Sequence, residues 1–143
     1  SNKNEIIVFT RDSKKIPNLN HIYSKIDIQS VDVTNSSYLE KKILEVKPDI
    51  IFHLAGQTSH KQSFENPFYD IDVNAKSTLT ILETLRKSKL RCKFILGSTF
   101  IVIGRPKKLP VDELTSCQPT TIYGANRLAS EYYCKIYHEK LWT

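Results

Sequence analysis

The chain has 143 residues, 40% of them apolar and 25% charged, with a formal net charge of +6. That length holds at most one domain with a sizeable core, and the composition is that of an ordinary globular chain, not a disordered or fibrous one. The positive excess suits an anionic partner. The basic residues, however, lie in short groups such as Lys41-Lys42 and Lys107-Lys108 without interleaved aromatics, which argues against nucleic acid and leaves a phosphorylated ligand.

Taken in chain order, Ile6 to Thr10 reads as a buried parallel strand, and Lys25 to Val31 as a weaker one carried by Ile26, Ile28 and Val31. Ser37-Tyr-Leu-Glu40 fits a capping box, after which Leu39, Ile43 and Val46 share a helix face until Pro48 stops it. Asp49 to Leu54 is the next apolar strand. Leu79, Leu82 and Leu85 then predict a helix from Asn74 through Lys89, and Lys93 to Leu96 a further strand. The stretch from Gly104 to Thr121 holds Pro106, Pro110 and Pro119 and reads as a long loop, a length that usually serves function. A last helix is expected from about Ala125 to Lys140, with Ala129, Tyr132, Tyr133 and Ile136 at helical intervals. Strands alternating with helices imply a parallel sheet with right-handed crossovers.

Cys92, Cys117 and Cys134 are odd in number and lack metal-ligand spacing, so free thiols in a reducing compartment are expected, with no metal. No apolar run approaches the ~20 residues of a membrane span and no leader peptide is recognisable, so the expectation is a cytoplasmic protein with no membrane partner.

The most informative short motif is Tyr123-Gly-Ala-Asn-Arg127, preceded by the Gly97-Ser-Thr99 turn that ends the last apolar run. A phenol and a cation four residues apart lie on one helix face, one turn apart. A fixed positive charge beside an ionisable hydroxyl suits proton transfer to and from a carbinol during hydride exchange. On these residues alone, packing of Tyr123 at a helix start and solvation of Arg127 are the simpler explanation; the rest of the chain reverses it.

The remaining motifs fall into order around it. Asp49-Ile-Ile-Phe-His-Leu-Ala-Gly56, Ser63-Phe-Glu-Asn-Pro67, Asn74-Ala-Lys-Ser-Thr-Leu-Thr-Ile-Leu-Glu83, Lys93-Phe-Ile-Leu-Gly-Ser-Thr99 with Val102-Ile-Gly104, and the Tyr123 segment together resemble the extended short-chain dehydrogenase/reductases. Among these the nucleotide-sugar epimerases and dehydratases are the most similar subgroup. The resemblance covers roughly residues 5 to 140. It implies an α/β fold with a Rossmann-type doubly wound parallel sheet in three αβα layers, incomplete at both ends, so that residues 1–143 form a partial NAD(P)-binding domain. The Gly-rich phosphate turn that opens such folds has no counterpart, because Gly56, Gly97, Gly104 and Gly124 are scattered. Residues 1 to 5 lead straight into what matches the family's second strand.

The same resemblance implies roles. Tyr123 is the acid/base, Thr99 orients the sugar hydroxyl or carbonyl with Ser98 beside it, and Arg127 holds the nicotinamide ribose and favours tyrosinate. Asp32, with Val33 next to it, faces the adenine, while Leu54, Ala55, Gly56 and Gln57 line the cofactor. Thr10 and Arg11 stand where a 2′-phosphate would be read, favouring NADP, whereas a longer strand would put Asp12 there for NAD; both cofactors stay open. His53 is expected to be structural, Asn74 to bond backbone across the sheet, and His60 to face solvent.

Three features depart from the family pattern. Arg127 replaces Lys and cannot give up its proton, Ile103 replaces a Tyr, and the Gly-rich turn is missing. Ser77 also stands where Gly is usual. Phe100 and Ile101 follow Thr99 where dehydratases carry an acidic pair, which tilts the expectation toward an epimerase or simple reductase acting on a nucleotide-sugar. Helices around Asn74 to Lys89 and Ala125 to Lys140 correspond to those through which family members dimerise. The competing expectation is a non-catalytic nucleotide-binding or interaction module of the same fold.

Overall fold

The computed structural model describes residues 4–12, 14 and 17–141. Ser1 to Lys3, at the head of the segment leading into the first strand, lie outside the described residues, as do the last two. The elements are β1 (Ile7–Thr10), a 3-10 segment (Pro17–Lys25), β2 (Asp27–Ser30), α1 (Ser36–Val46), β3 (Ile50–His53), α2 (His60–Glu65), α3 (Pro67–Ile71), a π-helical turn (Asp72–Lys76), α4 (Ser77–Ser88), β4 (Lys93–Leu96), a second 3-10 segment (Phe100–Ile103) and α5 (Ile122–Leu141).

All pairing between these strands is parallel. β1 runs beside β2 with Ile7 opposite Asp27 and Thr10 opposite Ser30, and β3 beside β4 with Ile50 opposite Lys93 and His53 opposite Leu96. The two pairs form separate two-stranded sheets. One hydrophobic core joins them: Val31, Leu39, Ile43, Ile81, Leu85 and Cys92 are buried together, with Phe9, Ile51 and Phe94 packed against them. α1 lies against α4 and α4 against α5. Each fully buried Leu or Ile of this cluster is worth roughly 1.5–3 kcal/mol, so helices on one face hold both sheets. On β3 the period-2 alternation sends Ile51 and His53 inward and leaves Ile50 and Phe52 exposed on the other side, continued by exposed Leu54.

Local chemistry shifts several element ends from their expected places. Asn35, not Ser37, caps α1: its Oδ1 accepts the Tyr38 N–H at 3.1 Å and the Ser37 hydroxyl at 3.1 Å. Asn competes well for this position because its short amide reaches the free N–H groups of the first turn. The helix ends with Lys47 in the left-handed region, its N–H on the Ile43 carbonyl, just before Pro48. The helix expected from Asn74 begins upstream at Pro67, capped by Asn66, and passes through the π turn, where the Ser77 N–H reaches the Asp72 carbonyl. The last helix starts at Ile122, with the Thr121 hydroxyl oxygen accepting the Gly124 N–H at 3.0 Å.

Candidate active site

The carboxyl ends of β3 and β4 and the head of α5 meet at one place, and Arg127 joins them. Its guanidinium donates from Nη1 to the Ala55 carbonyl at 3.3 Å and from Nη2 to the Gly97 carbonyl, tying the two strand ends to one helix. The side chain is buried, and its Nε has no partner among the described residues. Gly56 lies against it: a Cβ there would stand 3.6 Å from Arg127 Nη1 and 3.2 Å from Asn74 Oδ1. The cation that the family resemblance assigns to the ribose is engaged by carbonyls of the protein, because its planar fork matches two convergent acceptors.

Tyr123, one turn earlier, is only 5% exposed. His60 stacks its ring on the phenol ring, with centroids 5.8 Å apart and planes 29° apart. His60 is exposed, as expected, yet it also roofs the tyrosine, a contact that no local spacing announces. The head of α5 is tightly seated, since a Cβ on Gly124 would meet Pro119 Cβ at 3.0 Å and the Ile101 carbonyl at 3.1 Å. Thr99 ends the turn after β4 and caps the second 3-10 segment, its Oγ1 accepting the Ile101 N–H at 3.3 Å. Ser98 donates its hydroxyl to the Glu131 carboxylate on α5.

The loop after β3 is fixed through Gln57 and Asn74. The Asn74 amide mimics a strand edge, accepting the Gln57 N–H at 3.2 Å and donating to the Gln57 carbonyl at 2.8 Å. Asn74 thus bonds backbone as expected, and the π turn is what carries it there. His53 is buried, with Nε2 3.0 Å from the Ser77 hydroxyl oxygen, and that hydroxyl in turn donates to the Val73 carbonyl at 2.6 Å. The network therefore assigns the imidazole proton to Nε2. Ser77, where Gly is usual, serves as the polar partner of this histidine. Burial, and secondarily the Arg127 charge, hold His53 down at about 4.

Other residues expected at the site are placed as follows. Asp32 closes a local turn, its Oδ1 accepting the Thr34 N–H at 2.9 Å and the Thr34 hydroxyl at 2.8 Å, and Val33 packs on the core. Leu54 is exposed. Thr10 ends β1 and accepts the Val31 N–H through its carbonyl. Arg11 donates from Nη1 to the Tyr69 hydroxyl at 2.6 Å, which brings the end of β1 to α3. A cleft of about 310 Å³ lies within the long loop, beside Arg105, Lys108, Asp112 and Gln118; neither Thr99 nor Tyr123 lines it. The three thiols are free, and burial pushes those of Cys92 and Cys134 up. Among the described residues no cluster of side chains could hold a metal ion, and no helix is long and apolar enough to cross a membrane.

Comparison with known proteins gives this geometry its setting. A family model described as GDP-mannose 4,6 dehydratase matches residues 1–142. The chain is 33% identical over 115 residues to the UDP-glucose 4-epimerase of Mycolicibacterium smegmatis, covering 80% of this chain and 35% of that protein. It superposes on the UDP-glucose 4-epimerase of Thermotoga maritima, solved with UDP-glucose, with a TM-score of 0.85 and 26% identity, over 98% of this chain and 45% of that one. The UDP-glucose 4-epimerase of Thermus thermophilus, solved as a complex with NAD, gives a TM-score of 0.79 and 26% identity, over 96% and 44% of the respective chains. The chain thus spans less than half the length of these relatives. The match to the family model over nearly its whole length, on the partial Rossmann-type αβα fold that these structures share, makes this chain a member of the GDP-mannose 4,6 dehydratase family of nucleotide-sugar epimerases and dehydratases.

Proposed function

We propose that this chain is part of an NAD- or NADP-dependent enzyme that acts on a nucleotide-sugar, as an epimerase or a closely related dehydratase or reductase. The observation that carries this reading is the shared seat of Tyr123 and Arg127. Both are buried one turn apart on α5, where the ends of β3 and β4 converge. In open α/β sheets that crevice is where ligands bind. A nicotinamide dinucleotide fits it in one specific respect: the loop after β3 has a glycine, Gly56, at its closest approach, and the buried cation beside it keeps one N–H unpartnered. When bound, the cofactor supplies the hydride acceptor.

The chain's own residues do the rest. Tyr123 takes the proton from the sugar hydroxyl at its phenolic oxygen and returns it when the carbonyl is reduced. Thr99 and Ser98 orient that hydroxyl by hydrogen bonding. Arg127 keeps a fixed positive charge beside the reaction centre while bracing Ala55 and Gly97. Thr10, Arg11, Asp32 and Val33 flank the adenosine half, Leu54, Ala55 and Gly56 line the cofactor, and Gln57 meets its nicotinamide side. No acidic pair follows Thr99, which favours epimerisation or reduction over loss of water. The 143 residues by themselves turn over nothing.

A second reading rests on the guanidinium already being committed to two carbonyls: a non-catalytic nucleotide-binding module that has kept the fold. Calorimetry with NAD and NADP, on this chain and on a version extended at both ends, separates the two. Cofactor binding and sugar-nucleotide turnover by the extended form, with turnover lost in Tyr123→Phe, establish the enzyme. Absence of dinucleotide binding by both forms leaves the interaction module, and turnover by the 143-residue chain would refute its predicted inactivity.

A further inference from the structure

We infer that Asp70 is a positioning residue that sets the distance between the two walls of the site, a role resting on the acid/base reading of Tyr123 above. Asp70 sits on α3 with 0% exposure, and among the described residues no lysine or arginine bonds it. A buried carboxylate is costly unless its oxygens are hydrogen-bonded. Here each oxygen takes one amide. Oδ2 accepts from Gln57 Nε2 at 2.8 Å, and Oδ1 accepts from Asn126 Nδ2 at 2.7 Å. Gln57 belongs to the loop after β3, beside Gly56, and Asn126 sits in the turn of α5 between Tyr123 and Arg127. One side chain thus bridges the wall assigned to the cofactor and the wall that carries the acid/base.

The bridge has a single allowed sense. A carboxylate has acceptors only, so both flanking amides can face it only with their NH2 groups. The second Gln57 Nε2 hydrogen goes to the Ser59 carbonyl at 2.9 Å, and Gln57 Oε1 accepts the Ser59 N–H, so the loop that leads to His60 is fixed by the same choice. An amide at position 70 would offer one oxygen and one NH2; with Gln57 kept on the oxygen, its NH2 would meet the Asn126 NH2 until Asn126 turned its amide over. The Asn126 side of the network therefore has to rearrange in Asp70→Asn, and in Asn126→Asp two carboxylates face each other with no donor between them. Exchanging the two groups, in Asp70→Asn combined with Asn126→Asp, keeps every bond, because position 126 then accepts from the new amide while Gln57 still donates to its oxygen.

The extended protein carries the kinetic test. In Asp70→Asn, and separately in Asn126→Asp, kcat is expected to fall about tenfold or more, since small misplacements of a reacting group have effects of that order. The dissociation constant for the dinucleotide stays within about twofold, because the two bonds between the Asn74 amide and the Gln57 backbone still hold that loop. The exchanged pair returns kcat to within about threefold of the parent, as expected when a coupled pair is restored. In parallel, the ring resonances of Tyr123 and the amide resonances of Ala55 and Gly56 in the 143-residue chain move in Asp70→Asn and return in the exchanged pair. A kcat or a set of resonances unchanged by Asp70→Asn overturns the inference, as does failure of the exchange to restore them, or loss of folding in both variants. If the extended protein turns over nothing even unsubstituted, the functional reading falls, while the resonances still decide on Asp70.

Discussion

The imidazole of His60 stacks on the ring of Tyr123, with centroids 5.8 Å and planes 29° apart, beside a phenol that is only 5% exposed. His60 comes from the first turn of α2, held by the Ser59 cap, so the cover belongs to the same loop that Gln57 anchors.

His60→Ala removes this roof without disturbing the core. Stability should change by no more than about 1 kcal/mol, the usual scale of an aromatic pair. Nitration of Tyr123 by tetranitromethane, mapped by mass spectrometry, should rise several-fold. An unchanged rate would mean that other groups shield the phenol.

His53 makes stability depend on pH. Its folded value of about 4 lies below the ordinary histidine value of 6.5, so the unfolded chain binds the proton first. Its contribution is complete above about pH 6.5 and is lost as pH falls toward 4, a difference on the order of 3 kcal/mol. Urea midpoints measured from pH 7 to pH 4 should fall steeply in the parent and less in His53→Gln. Equal slopes in both would remove His53 as the cause.

Arg127 braces two strand ends as a fork. Arg127→Lys supplies one point charge and cannot span the Ala55 and Gly97 carbonyls together, so a loss of about 1–2 kcal/mol is expected from the carbonyl left unpartnered. Arg127→Met strands both carbonyls and destabilises more. It also takes away the charge that helps hold His53 down, so the His53 titration, followed by NMR, should move upward.

Gly104 has φ +72°, and a Cβ there would stand 1.8 Å from the Gln118 carbonyl oxygen, where the loop is pinned as a bridge between these two residues. No rotation relieves that overlap. Gly104→Ala should cost about 2–4 kcal/mol, the range of severe backbone strain, and open residues 105–121 to limited proteolysis. Retained protease resistance would show that the bridge does not hold the loop.

How much of this was legible in the sequence depends on whether a feature is local. The 3.6 period placed Tyr123 and Arg127 on one face of one helix, and the apolar runs located all four strands to within a few residues. Caps were harder, because Asn35 and Ser37 compete for the same N–H groups and only the chain's entry direction decides. The π turn had no signature in local spacing, although it carries the Asn74 amide that bonds the Gln57 backbone. Contacts made across the fold left no trace in local spacing, among them the His60 roof, the commitment of Arg127 to two carbonyls and the bridge from Asp70 to Asn126.

The separation of β1–β2 from β3–β4 has a consequence for amide exchange. In a parallel pair each strand donates every second N–H to its neighbour and turns the others away. On β1 and β3 the hydrogens turned away from β2 and β4 face no strand among the described residues, so they should exchange quickly while their immediate neighbours stay protected. Any segment that pairs with the free edge of either strand would erase this odd–even alternation there. The exchange pattern is therefore a residue-by-residue record of whether the sheet has become continuous.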